Sequence, residues 1–308
     1  HCGICGTDLH STDNHDTASA DGTVLGHEFA GEIVELGPEV DKGQWKEGDR
    51  LCSIPFIGCG DCLPCRMGKP WQCATKKIIG FDVTGGYAEY TRVHLNEAVK
   101  LPVSVNWREG ALVEPLAVGL HAVRLAKEIE GKRILVIGAG PIGLAVSLWC
   151  NFLGARNVLV SELDEHRAKM AERFGATGLL NASGDVGAQF AAEAGGPPDV
   201  IFECVGIPGM IANCVELAPY GAELIVVGFC AHPDSFVPAI AMAKEVTMKF
   251  PIAYDKDDFQ FVVDMIASDR VNVEHMITDV VSFQELPEAF EALRNPTTQC
   301  KVLIEPDL

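Results

Sequence analysis

Cys59, Cys62, Cys65 and Cys73 lie within fifteen residues, spaced C-x2-C-x2-C-x7-C. Four thiolates at that spacing can close a tetrahedral shell around zinc and leave no position for a substrate, which predicts a structural zinc. Gly60 and Gly68 supply the turns such a small loop needs. The competing reading is four reduced or disulfide-linked cysteines. A second donor set is scattered along the chain: Cys5, His27, Glu28 and Glu114. A thiolate, an imidazole and a carboxylate would leave one position open on a metal, as catalysis requires, although each of these residues taken alone is more often structural than a ligand.

A third constellation is Gly138-Ala139-Gly140-Pro141-Ile142-Gly143, a G-x-G-x-x-G run. The first glycine permits a tight turn, the second lets backbone approach a pyrophosphate, and the third lets helix pack on strand. The helix opening at Pro141 and Ile142 would face phosphate charge with its N-terminus. Glu162, near the expected end of the next strand, is placed to accept hydrogen bonds from the adenosine ribose and to repel a 2′-phosphate, favouring NAD over NADP. The plainer readings are a Gly-rich turn without a ligand and a solvated strand-end acid.

The elements needed to position these groups differ between the two halves. Residues 1 to about 115 are short apolar runs punctuated by Gly, Pro and Asp, and read as mainly β, with short strands and turns at 24–27 and 31–37. From Arg133 the texture changes to apolar strands at 134–137, 157–161, 199–202 and 223–227, with a helix after the Gly-rich turn and another at 165–174. Strands alternating with helices predict a parallel α/β sheet. Amphipathic helices at 258–267 and 287–293 and a closing strand at 300–304 complete the chain.

The chain has 308 residues, enough for two domains, and a net charge of −19. An acidic chain without a Lys/Arg cluster is a poor partner for nucleic acid. Residues 134–155 carry no charge and could span a bilayer by length, but Gly138, Gly140, Pro141 and Gly143 interrupt them, and no membrane span is expected. The opening His1-Cys2-Gly3-Ile4-Cys5 lacks a basic start and apolar run, so no secretory leader is expected. Twelve cysteines, four clustered and the rest scattered partly within apolar runs, fit a reducing, cytoplasmic compartment.

In order, the motifs are Gly-Ile-Cys-Gly-Thr-Asp-Leu-His at 3–10, Gly-His-Glu at 26–28, Gly-Asp-Arg at 48–50, the four-cysteine lobe, Gly-Gly-Tyr-Ala-Glu-Tyr at 85–90, Glu-Pro-Leu-Ala-Val-Gly at 114–119 and the Gly-rich turn. Together they resemble the zinc-containing medium-chain dehydrogenase/reductase family across essentially the whole chain. The branch they look closest to is that of the butanediol and sorbitol dehydrogenases. Glu114 in Glu-Pro-Leu and Glu162 in Val-Ser-Glu-Leu point there, and the intact cysteine lobe favours the butanediol type.

The resemblance implies an α/β protein. Its GroES-like, partly open β-barrel catalytic domain, with a structural zinc lobe, would occupy 1–115 and 251–308, and a Rossmann doubly wound NAD-binding domain 116–250. Family members carry a β segment ahead of the Gly-Ile-Cys motif, so that segment is expected outside these residues.

The same resemblance assigns roles. Cys5 and His27 would bind a catalytic zinc. Glu28 and Glu114 would each be a ligand or the partner of a bound water, and Asp8 would orient His27. Thr7 would take the substrate proton, and His10 would pass it to solvent beyond the nicotinamide ribose. Arg167 would contact the adenosine ribose and Lys301 the pyrophosphate, against the plain reading of both as surface cations. The implied cofactors are NAD and two zinc ions per chain. The implied activity is hydride transfer between NAD and a secondary alcohol or vicinal diol of the 2,3-butanediol/acetoin kind, by a homodimer or homotetramer acting on a small molecule. The rival readings are a polyol (sorbitol or xylitol) or threonine dehydrogenase and a non-catalytic, truncated NAD- or zinc-binding product.

Overall fold

The computed structural model describes residues 1–12, 22–41, 43–296 and 298–306. Gly and Asp break the first hundred residues into short pieces: β1 (Cys2–Gly3), α1 (Gly6–His10), β2 (Glu28–Glu32), β3 (Arg50–Ser53), β4 (Phe56–Ile57), α2 (Leu63–Arg66), β5 (Lys77–Ile78) and β6 (Ala98–Lys100). Two helices follow, α3 (Trp107–Ala111) and α4 (Val113–Leu125). Asn106 caps α3 by accepting from the Glu109 amide at 2.9 Å.

The middle of the chain alternates: β7 (Arg133–Ile137), α5 (Pro141–Phe152), β8 (Asn157–Glu162), α6 (Glu165–Arg173), β9 (Gly178–Asn181), α7 (Val186–Ala194), β10 (Val200–Glu203), α8 (Met210–Leu217), β11 (Glu223–Val226), α9 (Pro238–Ala243) and β12 (Thr247–Lys249). The chain closes with α10 (Lys256–Ala267), β13 (Ile277–Val281), α11 (Leu286–Ala292) and β14 (Lys301–Ile304). It divides into two compact units, 1–117 with 254–308, and 118–253, against the expected 116–250 for the second.

In the first unit a six-stranded sheet has the order β13-β14-β1-β2-β3-β6. Strand β1 is two residues long yet pairs antiparallel with β2 on one side (Gly3 opposite Glu28) and with β14 on the other (Gly3 opposite Leu303). The exit of β1 and the entries of β2 and β14 therefore lie at one end of the sheet, which brings Cys5, Glu28 and Lys301 together from the far ends of the chain. Gly3 is required there, because a Cβ would collide with the Glu28 carboxylate. The β4–β5 ribbon is a separate two-stranded sheet, and the segment between its strands carries the four-cysteine lobe.

In the second unit a six-stranded parallel sheet has the order β12-β11-β10-β7-β8-β9. This is the doubly wound order 3-2-1-4-5-6, counted from β7 as the first strand. Ile134, Leu135, Val136, Val158, Leu159 and Val160 are all 0% exposed, which is why these strands read as unbroken apolar runs. One face packs on Phe190, Cys214 and Val215. Each such side chain contributes about 1.5–3 kcal/mol of burial.

Several expectations are corrected. Residues 24–26 are not a strand. Their carbonyls accept from the amides of Gly85, Gly86 and Tyr87 in a loop. Strand β2 stops at Glu32 rather than running on to residue 37. Strands β9 and β12 lie at the sheet's two edges, where short, half-polar strands are tolerated and leave little periodicity to read. The uncharged stretch 134–155 divides into β7, the Gly-rich turn and α5, and no helix among the described residues is long and apolar enough to cross a membrane.

Candidate metal centre and dinucleotide site

Cys5, His27 and Glu28 place one donor atom each within 4.8 Å of one another. His27 (7% exposed) and Glu28 (1%) are buried. The Thr7 hydroxyl sits among these donors, 3.2 Å from Cys5 Sγ, to which it donates, and 3.3 Å from His27 Nε2. On the other side of the ring, Nδ1 faces Asp8 Oδ1 at 3.3 Å, and neither atom has another partner among the described residues. The ring is thus turned with Nδ1 to a carboxylate and Nε2 to the thiol, the orientation a metal-bound imidazole adopts.

Asp8 is fully buried, and its Oδ2 accepts from the Cys5 amide at 3.1 Å and the Tyr87 hydroxyl at 2.7 Å. Desolvation would raise the Asp8 carboxyl, but His27, Tyr87 and the Cys5 amide outweigh it and hold it below the usual value. Desolvation and the facing Asp8 push the Tyr87 hydroxyl well up, so it keeps its proton and donates.

Glu114 lies on the first turn of α4, 7% exposed, with Oε1 accepting from the buried Tyr254 hydroxyl at 2.6 Å. It is outside the 4.8 Å donor group but close enough to feel His27, Glu28 and Lys301. Burial pushes its carboxyl up to about 7. His10 is exposed on the last turn of α1, three residues beyond Thr7.

Lys301 is not the surface cation of the plainer reading. It is 2% exposed in the first unit, and its Nζ lies 2.7 Å from each Glu28 oxygen and 3.1 Å from the Ile4 carbonyl. A buried carboxylate beside a thiol and a second carboxylate needs a counter-charge, and the β14–β1–β2 register puts Lys301 there. Its ammonium is paired with Glu28.

In the lobe, Cys59, Cys62, Cys65 and Cys73 also bring their sulfurs within 4.8 Å of one another. Thr75 and the Cys59 amide lower the Cys73 thiol to about 6. Both donor sets fit zinc by chemistry: all-thiolate in the lobe, and mixed sulfur, nitrogen and oxygen in the other.

In the second unit Gly138, at φ 97, turns the chain from β7 toward α5. A Cβ on Gly143 would collide with the Gly138 carbonyl, so only glycine lets α5 pack this closely. A Cβ on Gly140 would meet nothing within 4 Å, so the space above the helix start is open. Pro141 and Ile142 form the first helical positions.

Glu162 Oε2 accepts from the Ala139 amide at 2.9 Å, while Oε1 accepts from Leu163 and Asp164 amides and faces Arg167 at 3.3 Å. Glu162 and Arg167 thus stand together beside the Gly-rich turn. The sequence reading missed Glu203, 1% exposed, which accepts from the amides of Val205 and Gly206 and holds that loop against Gly138. A strand-end acid before a glycine was its signal. Tyr254 gave none, because its partner lies 140 residues away.

Residues 1–103 match the alcohol dehydrogenase GroES-like domain, and residues 141–268 match zinc-binding dehydrogenase. The chain belongs to the zinc-containing, medium-chain alcohol dehydrogenase family. It is an oxidoreductase that works with zinc and a nicotinamide dinucleotide on a small-molecule substrate.

Among its relatives, the (R,R)-butanediol dehydrogenase of Bacillus subtilis is 32% identical over 324 residues, covering 99% of this chain and 90% of that protein. A solved 2R,3R-butanediol dehydrogenase from Bacillus subtilis superposes with a TM-score of 0.86 at 30% identity, covering 99% of this chain and 90% of that one. The L-galactonate-5-dehydrogenase of Escherichia coli is 32% identical over 291 residues, covering 94% and 84% respectively. A zinc-binding dehydrogenase from Sinorhizobium meliloti solved with NADP superposes with a TM-score of 0.90 at 30% identity, covering 99% and 90%.

Proposed function

We propose that the chain interconverts a secondary alcohol, of the vicinal-diol kind represented by 2,3-butanediol and acetoin, with its ketone, using NAD. The observation that carries this is the convergence of Cys5, His27 and Glu28 within 4.8 Å, with the Thr7 hydroxyl among them. Cys5 and His27 would hold the catalytic zinc with Glu28, and Glu114, tied to Tyr254, would stand behind as the second carboxylate. The four lobe cysteines would hold a second, structural zinc. When bound, zinc supplies Lewis acidity that favours the deprotonated alcohol, and NAD supplies the hydride acceptor.

The protein's own part is placement. Asp8 fixes the His27 ring, Thr7 Oγ1 would accept the proton leaving the substrate hydroxyl while its own proton passes on by way of the nicotinamide ribose, and His10 would release a proton to solvent. Gly138, Gly140, Pro141, Ile142 and Gly143 would cradle the pyrophosphate. Glu162, with Arg167 beside it, would hold the adenosine ribose and disfavour a 2′-phosphate.

The vicinal-diol class draws support from relatives named for butanediol and for galactonate. Exposed Val237, Met242, Phe250 and Ile252 flank the edge strand β12 and support self-association into a homodimer or homotetramer. Twelve free cysteines fit the cytoplasm.

The test is a panel of initial rates with butanediol, sorbitol, xylitol and threonine, each with NAD and NADP, on protein of known zinc content. The highest kcat/KM is expected for the diol with NAD. Alcohol oxidation that survives complete zinc removal, or no alcohol-dependent NADH at full zinc content, would overturn the assignment.

A further inference from the structure

The Gly-Gly-Tyr run at 85–87 is stitched to the residues just before His27. The amides of Gly85, Gly86 and Tyr87 donate to the carbonyls of Val24 (2.8 Å), Gly26 (2.7 Å) and Leu25 (3.0 Å). Three glycines make this approach possible. A Cβ on Gly85 would collide with the Leu25 carbonyl, and one on Gly86 would fall 2.8 Å from Cys2 Sγ. Gly26, at φ 96, would drive a Cβ into the Tyr87 ring. The ring therefore crosses the bare face of Gly26, packs beside Cys2, Phe29 and Ile79, and delivers its hydroxyl to Asp8 Oδ2 at 2.7 Å.

We propose that Tyr87 is a positioning residue: its hydroxyl locks the Asp8 carboxylate so that Oδ1 stays turned to His27 Nδ1 and the ring's Nε2 stays aimed at the metal. This rests on the metal reading of Cys5, His27 and Glu28. The terminal torsion of an aspartate is soft and nearly two-fold, so a carboxylate held only at its base can swing. Asp8 Oδ2 is pinned from two directions, by the Tyr87 hydroxyl and by the Cys5 amide, which leaves Oδ1 a single orientation toward His27. Asp8 thereby ties the backbone of one sulfur donor to the ring of the nitrogen donor, and Tyr87 ties both to the loop that carries Gly26 into His27.

Tyr87→Phe removes the hydroxyl and keeps the ring in its packing. The experiment follows zinc release from the full chain into an excess of a coloured chelator. Cys5→Ala runs in parallel to mark the release phase belonging to the lobe. In Y87F the Cys5-dependent phase is expected to run about 10- to 100-fold faster, the usual cost of losing a residue that supports a metal-bound histidine. The lobe phase should keep its wild-type rate. Since Tyr87 acts through Asp8, adding Y87F to Asp8→Asn should accelerate release no further than D8N alone.

Substituting cobalt(II) for zinc should shift the visible absorption band of the Cys5 site in Y87F. A wild-type rate in Y87F, equal acceleration of both phases, or multiplied effects in the double variant would each overturn the proposal. If wild-type and Cys5→Ala chains hold the same amount of zinc, the metal reading itself fails, a result visible before any rate is compared.

Discussion

Gly140→Ala separates binding from folding. The residue has φ −70 and ψ 178, a conformation alanine adopts freely, and its added methyl would touch no protein atom within 4 Å. Restricting the unfolded chain stabilises by about 0.4–1 kcal/mol, and replacing a glycine N-cap by alanine costs a similar amount, so stability should hardly change. The cofactor should notice the substitution. The methyl would stand where the pyrophosphate approaches the start of α5 and would forfeit at least one hydrogen bond to a charged oxygen, worth about 1.5–3 kcal/mol. NADH affinity should therefore fall by about 10- to 150-fold. Fluorescence titration of NADH alongside a thermal melt measures both quantities. An NADH Kd within about twofold of wild type, or a melting point lowered by more than about 4 °C, the shift that about 1 kcal/mol produces in a unit of this size, would refute the reasoning. Gly143→Ala is the contrast: its methyl meets the Gly138 carbonyl, so stability and binding should fall together.

Cys5→Ala should abolish alcohol oxidation and lower the zinc content by about one ion per chain, while the NADH Kd stays at its wild-type value. Elemental analysis with a titration checks it, and retained turnover would count against the site. Cys62→Ser should empty the lobe and lower the melting temperature. Equal melting of the variant and parent, with and without chelator, would remove the structural role of that metal. Glu162→Gln keeps the shape beside Ala139 and Arg167 but removes the charge. The ratio of kcat/KM for NADP over NAD should rise about tenfold or more, since a close charge pair is worth about 1–4 kcal/mol between water and a partly screened surface. An unchanged ratio would move cofactor choice away from Glu162.

What could be read without coordinates was local. The four lobe cysteines announce themselves because all the donors come from one short segment, and the structure gathers their sulfurs. The Gly-rich turn was legible for a similar reason: strand, turn, helix and strand-end acid follow in order along the chain, and β7, α5 and β8 fall where the apolar runs lie.

The first unit was harder, because its strands are too short to show an alternation and its contacts are long-range. Strand β1 has two residues and no pattern, yet it sits between β2 and β14 and decides which donors meet. The pairing of Lys301 with Glu28 was not legible, because a lysine's partner cannot be read from its neighbours in sequence. Glu28 is 273 residues away. Tyr87 belongs to the Gly-Gly-Tyr-Ala-Glu-Tyr motif, but that its hydroxyl reaches Asp8 follows from three glycines clearing a path, which becomes visible only when residues 24–26 and 85–87 are seen side by side.

The place of β14 has a consequence for how the protein comes into being. Residues 118–253 are contiguous and can begin to fold as soon as they leave the ribosome. The sheet that brings Lys301 to Glu28 cannot close until residues 301–304 have been synthesised and have travelled back to pair with residues 2 and 3. Until then Glu28 lacks its ammonium partner. Metal loading should thus be completed only after β14 has paired. A nascent chain stalled short of β14 would carry a finished second unit and a first unit whose Glu28 still lacks Lys301.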